Sequence, residues 1–309
     1  MPNEIKNDKS ICRNKGVVLL NQTVILGALE LGGIFAILSL GLYISYKVLN
    51  LPDLTVDGSF ALGCAVSGMF TINSMPYVGL IGSFVIGAAA GVVTGLLITK
   101  FKIMPLLSGI LTMTGLYSIN LAIMNDTPNL SLFGNNTIFS SFTAFDPYGK
   151  IILIYLIVIV ICVILDFFLR TQLGLSLRAC GDNEDMVRAS SIDTDKMKIL
   201  GLALANGLVA MSGAVFAQHQ SFADISSGTG MMVIGLASII VGTTFIKKEK
   251  IIFQLVAVVF GAIFYRAVLT VALQLGLPSG YLKLLSAVLV IVAIASTNGA
   301  FRSKKRGRN

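Results

Sequence analysis

The feature that most constrains this chain is the separation of its apolar residues from its charges. Nine runs, 23–46, 58–73, 77–99, 103–124, 150–170, 197–220, 229–246, 251–275 and 281–297, carry almost no charge, and the segments between them carry nearly all of it. A helix needs roughly 20 residues to cross the hydrocarbon core of a bilayer, so runs of this length read as membrane spans. They are continuous rather than alternating, which favours helices over the strands of a barrel. The expected fold is all-α, a polytopic integral membrane protein of about nine transmembrane helices. Two of the runs, 58–73 and 229–246, are short.

Composition enters as a check on this reading. Apolar residues make up 55% of the chain and charged residues 12%. A soluble domain carries roughly 25% charge, so there is too little here to clothe a water-facing surface. The net charge of +8 would suit nucleic acid, but the basic residues flank apolar runs instead of gathering in one domain. No nucleic-acid partner is expected; the lipid bilayer is. Cys12, Cys64, Cys162 and Cys180 form no C-x-x-C, so neither disulfide nor zinc chemistry is expected. The first 16 residues are polar, and the run after them is too long for a signal peptide, so it reads as a retained span.

Positive charge orients the spans, because Lys and Arg concentrate in cytoplasmic loops. Lys100 and Lys102 share one tight loop, and Lys247, Lys248 and Lys250 another. Arg178, Arg188, Lys196 and Lys198 populate the segment 171–198, just after Arg170, and Arg302 to Arg308 fill the tail. With all four places cytoplasmic, every span from 77 onward alternates without conflict, and 125–149 falls outside. Nine crossings then put the N-terminus outside, against the pull of Lys6, Lys9, Arg13 and Lys15. The alternative is eight crossings, with 58–73 re-entrant and the N-terminus inside. Lys47, at the end of the first span, favours nine. The chain divides into a polar segment 1–22, a first membrane half 23–170, a cytoplasmic loop 171–198, a second membrane half 199–298 and a basic tail 299–309.

An internal repeat supports this division. Leu51-Pro52-Asp53-Leu54-Thr55-Val56-Asp57-Gly58 leads into the first short span, and Phe222-Ala223-Asp224-Ile225-Ser226-Ser227-Gly228 into the second. Each is an apolar–small–Asp–apolar–Thr/Ser string that follows one full span. With five spans before the charged loop and four after it, the two units lie in opposite orientations. Paired short, Gly-interrupted segments in inverted halves point to a transport pathway.

No catalytic constellation is visible. There is one histidine, and no H-E-x-x-H, G-x-S-x-G or phosphate-binding loop. The chain is therefore not read as an enzyme, and no metal site or cofactor is expected on it. The segment 171–198 is the most informative stretch. Asp182 or Asn183 can cap a short helix over 184–190, with Glu184 and Asp185 favourably placed in its first turn. Met186, Val187 and Ala189 give that helix an apolar side for a peripheral partner to grip.

The string Gly174-Leu175-Ser176-Leu177-Arg178-Ala179-Cys180-Gly181-Asp182-Asn183, followed by Met186, Ala189, Ile192, Thr194, Asp195 and Met197-Lys198, resembles the coupling loop of one permease family. This is the family of ABC importers for branched-chain amino acids and ribose-like sugars. The likeness covers about 24–298. It includes the 51–59 string, Leu106-Leu107-Ser108-Gly109-Ile110-Leu111-Thr112-Met113-Thr114, and Ile234-Gly235-Leu236-Ala237-Ser238. These details are most similar to a branch described as tryptophan or tyrosine transport permeases. The resemblance implies a permease homodimer or pseudo-dimer in a cell membrane of bacterial type. It also implies two cytoplasmic ABC ATPase subunits, which bind the ATP, and an extracytoplasmic solute-binding protein. The ATPase would meet Gly174, Leu177, Arg178, Ala179, Gly181, Asp182, Asn183, Glu184, Met186 and Ala189. Ser191 stands where the family commonly has Gly; in a left-handed conformation Ser would cost on the order of 1 kcal/mol.

Polar residues within the spans are the candidates for a substrate path or gate, being costly there. Glu30 either lines the pathway or makes an interhelical hydrogen bond. Asn120 lies in the fourth span. Asn206, between Ala205 and Gly207, is read mainly as a site of close packing. His219 is placed at the outer mouth, in a structural role. Asp53, Asp57 and Asp224 either cap the short helices or contact substrate. Gly87-x-x-x-Gly91-x-x-x-Gly95 allows another helix to approach closely. The expected function is an importer permease for a small solute, which the resemblance implies is an amino acid of aromatic type. The alternative is an ion-gradient-driven secondary transporter, which needs deep ionisable groups, and Glu30 is nearly the only one this reading finds.

Overall fold

The computed structural model describes residues 22–140, 148–246, 250–276, 278–281, 284–288 and 290–291. Among them, eight helices are long and apolar enough to cross a membrane. In chain order the helices are α1 (Gln22–Leu42, continued by a π-helical turn Tyr43–Val48), α2 (Thr55–Ile72), α3 (Pro76–Thr99), α4 (Pro105–Ile123) and α5 (Gly149–Arg170). Then come α6 (Gln172–Asp182), α7 (Glu184–Ala189), α8 (Thr194–Gln220), α9 (Met231–Phe245) and α10 (Ile251–Gln274). Two short strands, β1 (Asn129–Ser131) and β2 (Phe222–Asp224), pair antiparallel. The ninth run is described only in part; 284–288 and 290–291 are helical. Residues 1–21, with Cys12, and the basic tail lie outside the described residues. The first short span is one unbroken helix of 18 residues, about 27 Å at the α-helical rise, so it has the length to cross rather than re-enter.

Local chemistry sets the helix ends. Pro76 and Pro105 begin α3 and α4, where a missing N–H costs nothing. Asp193 caps α8, accepting from the N–H groups of Asp195 and Lys196 at 3.1 and 3.2 Å. The 27-residue spans of α1 and α8 are each followed by a left-handed residue, Asn50 (φ 54°) and Ser221 (φ 58°). Asp53 and Asp224 sit three residues beyond these turns, and each accepts the backbone N–H two residues on: Thr55 at 2.8 Å and Ser226 at 2.6 Å. The third helices of the two units, α3 and α10, have 24 residues each. The repeat read from the sequence is thus reproduced turn for turn.

The two units interlock with opposite polarity. Helix α8 runs antiparallel to α1: Ser212 bonds the Ile34 carbonyl at 2.8 Å, while Gly201 meets Leu49. It runs parallel to α2, where Cys64 and Ser67 reach the Gly213 and Ala214 carbonyls at 3.2 and 3.3 Å. Helix α3 lays Gly87, Gly91 and Gly95 against Ala210, Leu202 and Ile199 of α8. Helix α10 packs in the same way on α1, through Ile263 against Gly32. Each unit's third helix therefore rests on the first helix of the other. Helix α5 lies outside the repeat, against α1 through Ile154 and Gly33.

The strand pair joins the far end of α4 to the far end of α8, with Leu130 opposite Ala223. At the other face, Gly181 of α6 abuts Val48 at the end of α1. The end of the first span and the 171–198 segment therefore share a face, as Lys47 suggests. That parity starts α1 at the opposite face.

A Cβ on Gly63 would collide with the Ala210 carbonyl, and one on Gly91 with that of Leu202. Gly63→Ala and Gly91→Ala are each expected to lower stability by about 1–3 kcal/mol. Gly27, with nothing within 4 Å of a Cβ, should accept Ala with no loss. Thermal unfolding of the detergent-solubilised protein checks all three.

Candidate functional site

The breaks before α2 and α9 meet in the interior. Asp53 is 2% exposed and Asn206 is fully buried. The Asn206 amide donates to Asp53 Oδ2 at 2.7 Å and to the Leu202 carbonyl at 3.1 Å, and its oxygen accepts from Ser59 at 2.7 Å. Close packing does occur here, Gly87 facing the Asn206 carbonyl and Gly207 facing Phe84, and the Asn206 amide is in addition the hub between α8 and the start of α2. Hydroxyls extend the knot, with Thr55 2.9 Å from Thr94 and Thr94 3.0 Å from Thr112. Four helices, α2, α3, α4 and α8, are tied here by groups that hydrocarbon would leave unsatisfied.

Asp57 does not cap its own helix. Its two carboxylate oxygens accept the N–H groups of Gly230 and Met232, each at 2.8 Å, at the start of α9. Helix α9 has no side-chain cap of its own, so a carboxylate from one repeat closes the N-terminus of the other, where the helix dipole favours negative charge. Asp224 caps the 3-10 turn Ile225–Gly228 through Ser226. Beside Asp57 a cavity of about 330 Å³ opens between α2, α4 and the start of α9. Asn120 lies on its wall, its amide 3.3–3.4 Å from backbone groups of Gly58, Leu62 and Leu116. Thr114 and Tyr117 line it too. They were missed, although Thr114, Tyr117 and Asn120 recur at three-residue spacing, one face of a helix.

At the outer end, His219 Nε2 lies 2.9 Å from Glu30, and both side chains are largely buried. Phe139 meets the His219 ring edge-on at 5.8 Å. Glu30 thus makes an interhelical bond, with His219 as its partner; among the described residues no group of three metal-ligating side chains exists. Gln218, 1% exposed, donates to Ser67 and the Pro76 carbonyl and accepts from Ile138, fastening the external segment down. Arg266, overlooked in the sequence, is a further ionisable group within a span. Its guanidinium carbon lies 5.7 Å from the centre of the Phe35 ring, a cation–π contact. The signal was plain: one charge inside an otherwise uncharged 24-residue helix.

The 171–198 segment holds two helices where one was read. Helix α6, capped by Thr171, buries Gly174, Leu177 and Cys180 on one side, and Leu177 reaches Gly201 of α8. Helix α7 spans Glu184–Ala189, with Asn183 rather than Asp182 as its cap. Of its expected apolar side, Met186 is 61% exposed and Ala189 is exposed, whereas Val187 is buried. Of the other expected coupling residues, Asp182 and Asn183 are exposed, and Arg178, Ala179 and Gly181 are half-buried. Glu184 turns inward. It binds Lys198 at 2.6 Å and Arg188 at 2.9 Å, clamping α7 to the base of α8. The Lys198 hydrogen bond holds the Glu184 carboxyl below the usual glutamate range. A lowered carboxylate pKa stabilises at pH above the ordinary value of about 4.3, and that contribution is lost as pH falls below it.

Against known proteins, residues 24–294 match the family model described as "Branched-chain amino acid transport system / permease component". The chain belongs to that family. The permease is 40% identical over 273 residues to the "Tyrosine transport system permease protein" of Clostridioides difficile, covering 88% of this chain and 90% of that one. It is 25% identical over 282 residues to the ribose import permease protein of Escherichia coli K12, covering 91% and 84%. No solved structure matches it. The permease is a multi-pass membrane protein.

Two outcomes test this geometry. Asn206→Ala strips a partner from buried Asp53 and Ser59, and should cost about 1–3 kcal/mol in thermal unfolding. Ser191 does adopt the left-handed conformation, at φ 60°. Ser191→Gly should therefore gain up to about 1 kcal/mol, and the β-branched Ser191→Val should lose at least as much.

Proposed function

We propose that this permease is the membrane-spanning subunit of an ABC importer, working as a homodimer. Two cytoplasmic ATPase subunits bind and hydrolyse the ATP, and an extracytoplasmic solute-binding protein delivers the solute. The observation that carries this reading is the connector. It exposes Met186 between Asp182, Asp185 and Ala189, while Glu184 and Lys198 clamp it to α8. Force applied to α7 is therefore delivered to the helix whose Asn206 holds the start of α2. Paired broken helices in inverted halves are the arrangement that supports alternating access.

The solute is an amino acid. The tyrosine transport relative, at 40% identity, favours an aromatic one over the sugar named for the more distant ribose permease. A gradient-driven carrier is the second reading, and it draws on the buried Glu30–His219 pair.

The purified chain is expected to hydrolyse no ATP by itself. Met186→Asp alters an exposed side chain and should abolish co-purification with the ATPase subunits while leaving the protein inserted in the membrane. Solute uptake by the isolated chain in liposomes, driven by an ion gradient without ATPase subunits, would overturn the proposal in favour of the second reading.

A further inference from the structure

Between α3 and α4 runs a groove of about 410 Å³ in which Thr112 is the one polar side chain. That hydroxyl is already bonded to Thr94 and to the Ser108 carbonyl, each at 3.0 Å. The floor is the buried set Leu62, Ala90 and Leu116. The rim is exposed, Val93 at 50%, Leu111 at 46% and Ile119 at 51%. Gly115 also lines the groove, and a Cβ there would meet nothing within 4 Å. Gly87, Gly91 and Gly95 admit α8 at backbone distance; the space over Gly115 is open to a group from outside the chain.

The groove has a definite length and a charged end. Ile86 and Leu97 on α3 are eleven residues apart, about 16 Å at the α-helical rise. One leaflet is half of a hydrocarbon core roughly 30 Å thick, so its chains run about 15 Å. Helix α3 ends at Thr99, and its Gly95 meets Ile199 at the base of α8, on the face of the 171–198 connector. The groove therefore occupies the cytoplasmic half of the bilayer. Its wall on α3 follows one stripe, Ile86, Ala90, Val93 and Leu97, at spacings of four, three and four. Lys100 is the next member of that stripe, three residues on, and keeps α-helical φ and ψ as the C-cap. Lys102 follows in the same turn, exposed and left-handed at φ 56°. Neither lysine forms an ion pair among the described residues.

We propose that this groove is a lipid site. One acyl chain of an anionic phospholipid from the cytoplasmic leaflet lies in it, and the headgroup phosphate meets Lys100 and Lys102. An apolar slot one leaflet long that ends at two lysines matches both parts of such a lipid. Basic sites between helices on the cytoplasmic side bind anionic headgroups. A helix of a second copy fits less well: at a diameter of about 10 Å, 16 Å of it fills roughly 1,300 Å³, well above the volume of the groove. The proposal goes beyond the importer reading and does not rest on it.

The chain contains no Trp, so a single introduced Trp reports without background. The full-length protein carrying Leu111→Trp is reconstituted in phosphatidylcholine vesicles. Its fluorescence is quenched with acyl-brominated phosphatidylglycerol or acyl-brominated phosphatidylcholine. Val163→Trp on α5 is the reference, 59% exposed and seven residues from the cytoplasmic end of its helix, as Leu111 is six from its own. Half-quenching at Leu111→Trp should need at least threefold less brominated phosphatidylglycerol than at Val163→Trp. Brominated phosphatidylcholine should not distinguish the two. Gly115→Leu fills the groove, and Lys100→Gln with Lys102→Gln removes the charge; either change should abolish the difference. Because a Cβ at 115 meets open space, Gly115→Leu should not lower the thermal unfolding temperature in detergent, which separates loss of the site from loss of the fold. Equal phosphatidylglycerol curves at the two positions would overturn the proposal. So would a preference that survives Gly115→Leu, which places the lipid on the lysines alone, or one that survives the double Gln variant, which removes the headgroup contact. Protection of Leu111→Trp from both lipids while Val163→Trp is quenched would overturn it in favour of a second copy covering the groove.

Discussion

Inside a bilayer a helix that stops short leaves N–H groups with no water to bond, and both breaks in this chain must meet that demand. Asp53 answers it for α2 within its own turn, through Thr55. Asp57 answers it for α9 from across the repeat, through Gly230 and Met232. The second unit has no counterpart of Asp57 in its string, so the symmetry is broken at this carboxylate. The cavity lies on the side where it is broken. The remaining architecture holds these two helix starts together.

Helix α8 is what holds them. It touches both repeats and both faces, and glycines let it approach its neighbours at backbone distance. Gly63 and Gly213 bring α2 and α8 together, and Gly87, Gly91 and Gly95 bring in α3. Close approach also makes the polar bonds between helices short: a Ser or Asn reaches a carbonyl only when backbones nearly touch. The same helix is clamped to α7 at one end through Lys198 and to α1 at the other through His219. A displacement at the connector therefore enters the core along one rigid element.

How much of this was legible follows from the range of each interaction. The repeat could be read because Asp53 and Asp224 act on residues two positions away, and local strings carry local bonds. The cap at 183 was visible for the same reason, whereas the turn at Ser191 was flagged by the resemblance, the family commonly having Gly there. Helix α6 was not, because Gly174 and Gly181 look like loop residues; they serve instead to fit α6 against α5 and the end of α1. Asn206 and Asp57 were singled out, and Asp57 does cap a short helix, but which one it caps and what Asn206 bonds could not be read, since their partners lie 173 and 153 residues away in sequence. Burial of Val187 takes one residue out of the expected apolar side of α7 and leaves Met186 and Ala189 exposed, because a helix of six residues is oriented by what it docks on as well as by its own pattern. Arg266 is a different case, a charge in plain view that was passed over.

The short ladder between β1 and β2 has a mechanical meaning. It joins the end of the first repeat's last described helix to the end of the second repeat's first. Two flanking bonds lengthen it: Leu132 N–H to the Ser221 carbonyl at 3.0 Å, and Ile225 N–H to the Pro128 carbonyl at 3.1 Å. Nothing comparable ties α4 to α8 at the connector face among the described residues. Within one chain, then, any rotation of α4 against α8 would hinge at the stitched end and open at the unstitched one. If α7 is pushed as proposed, the push would act at that open end, where a small rotation about the distant ladder gives the largest travel.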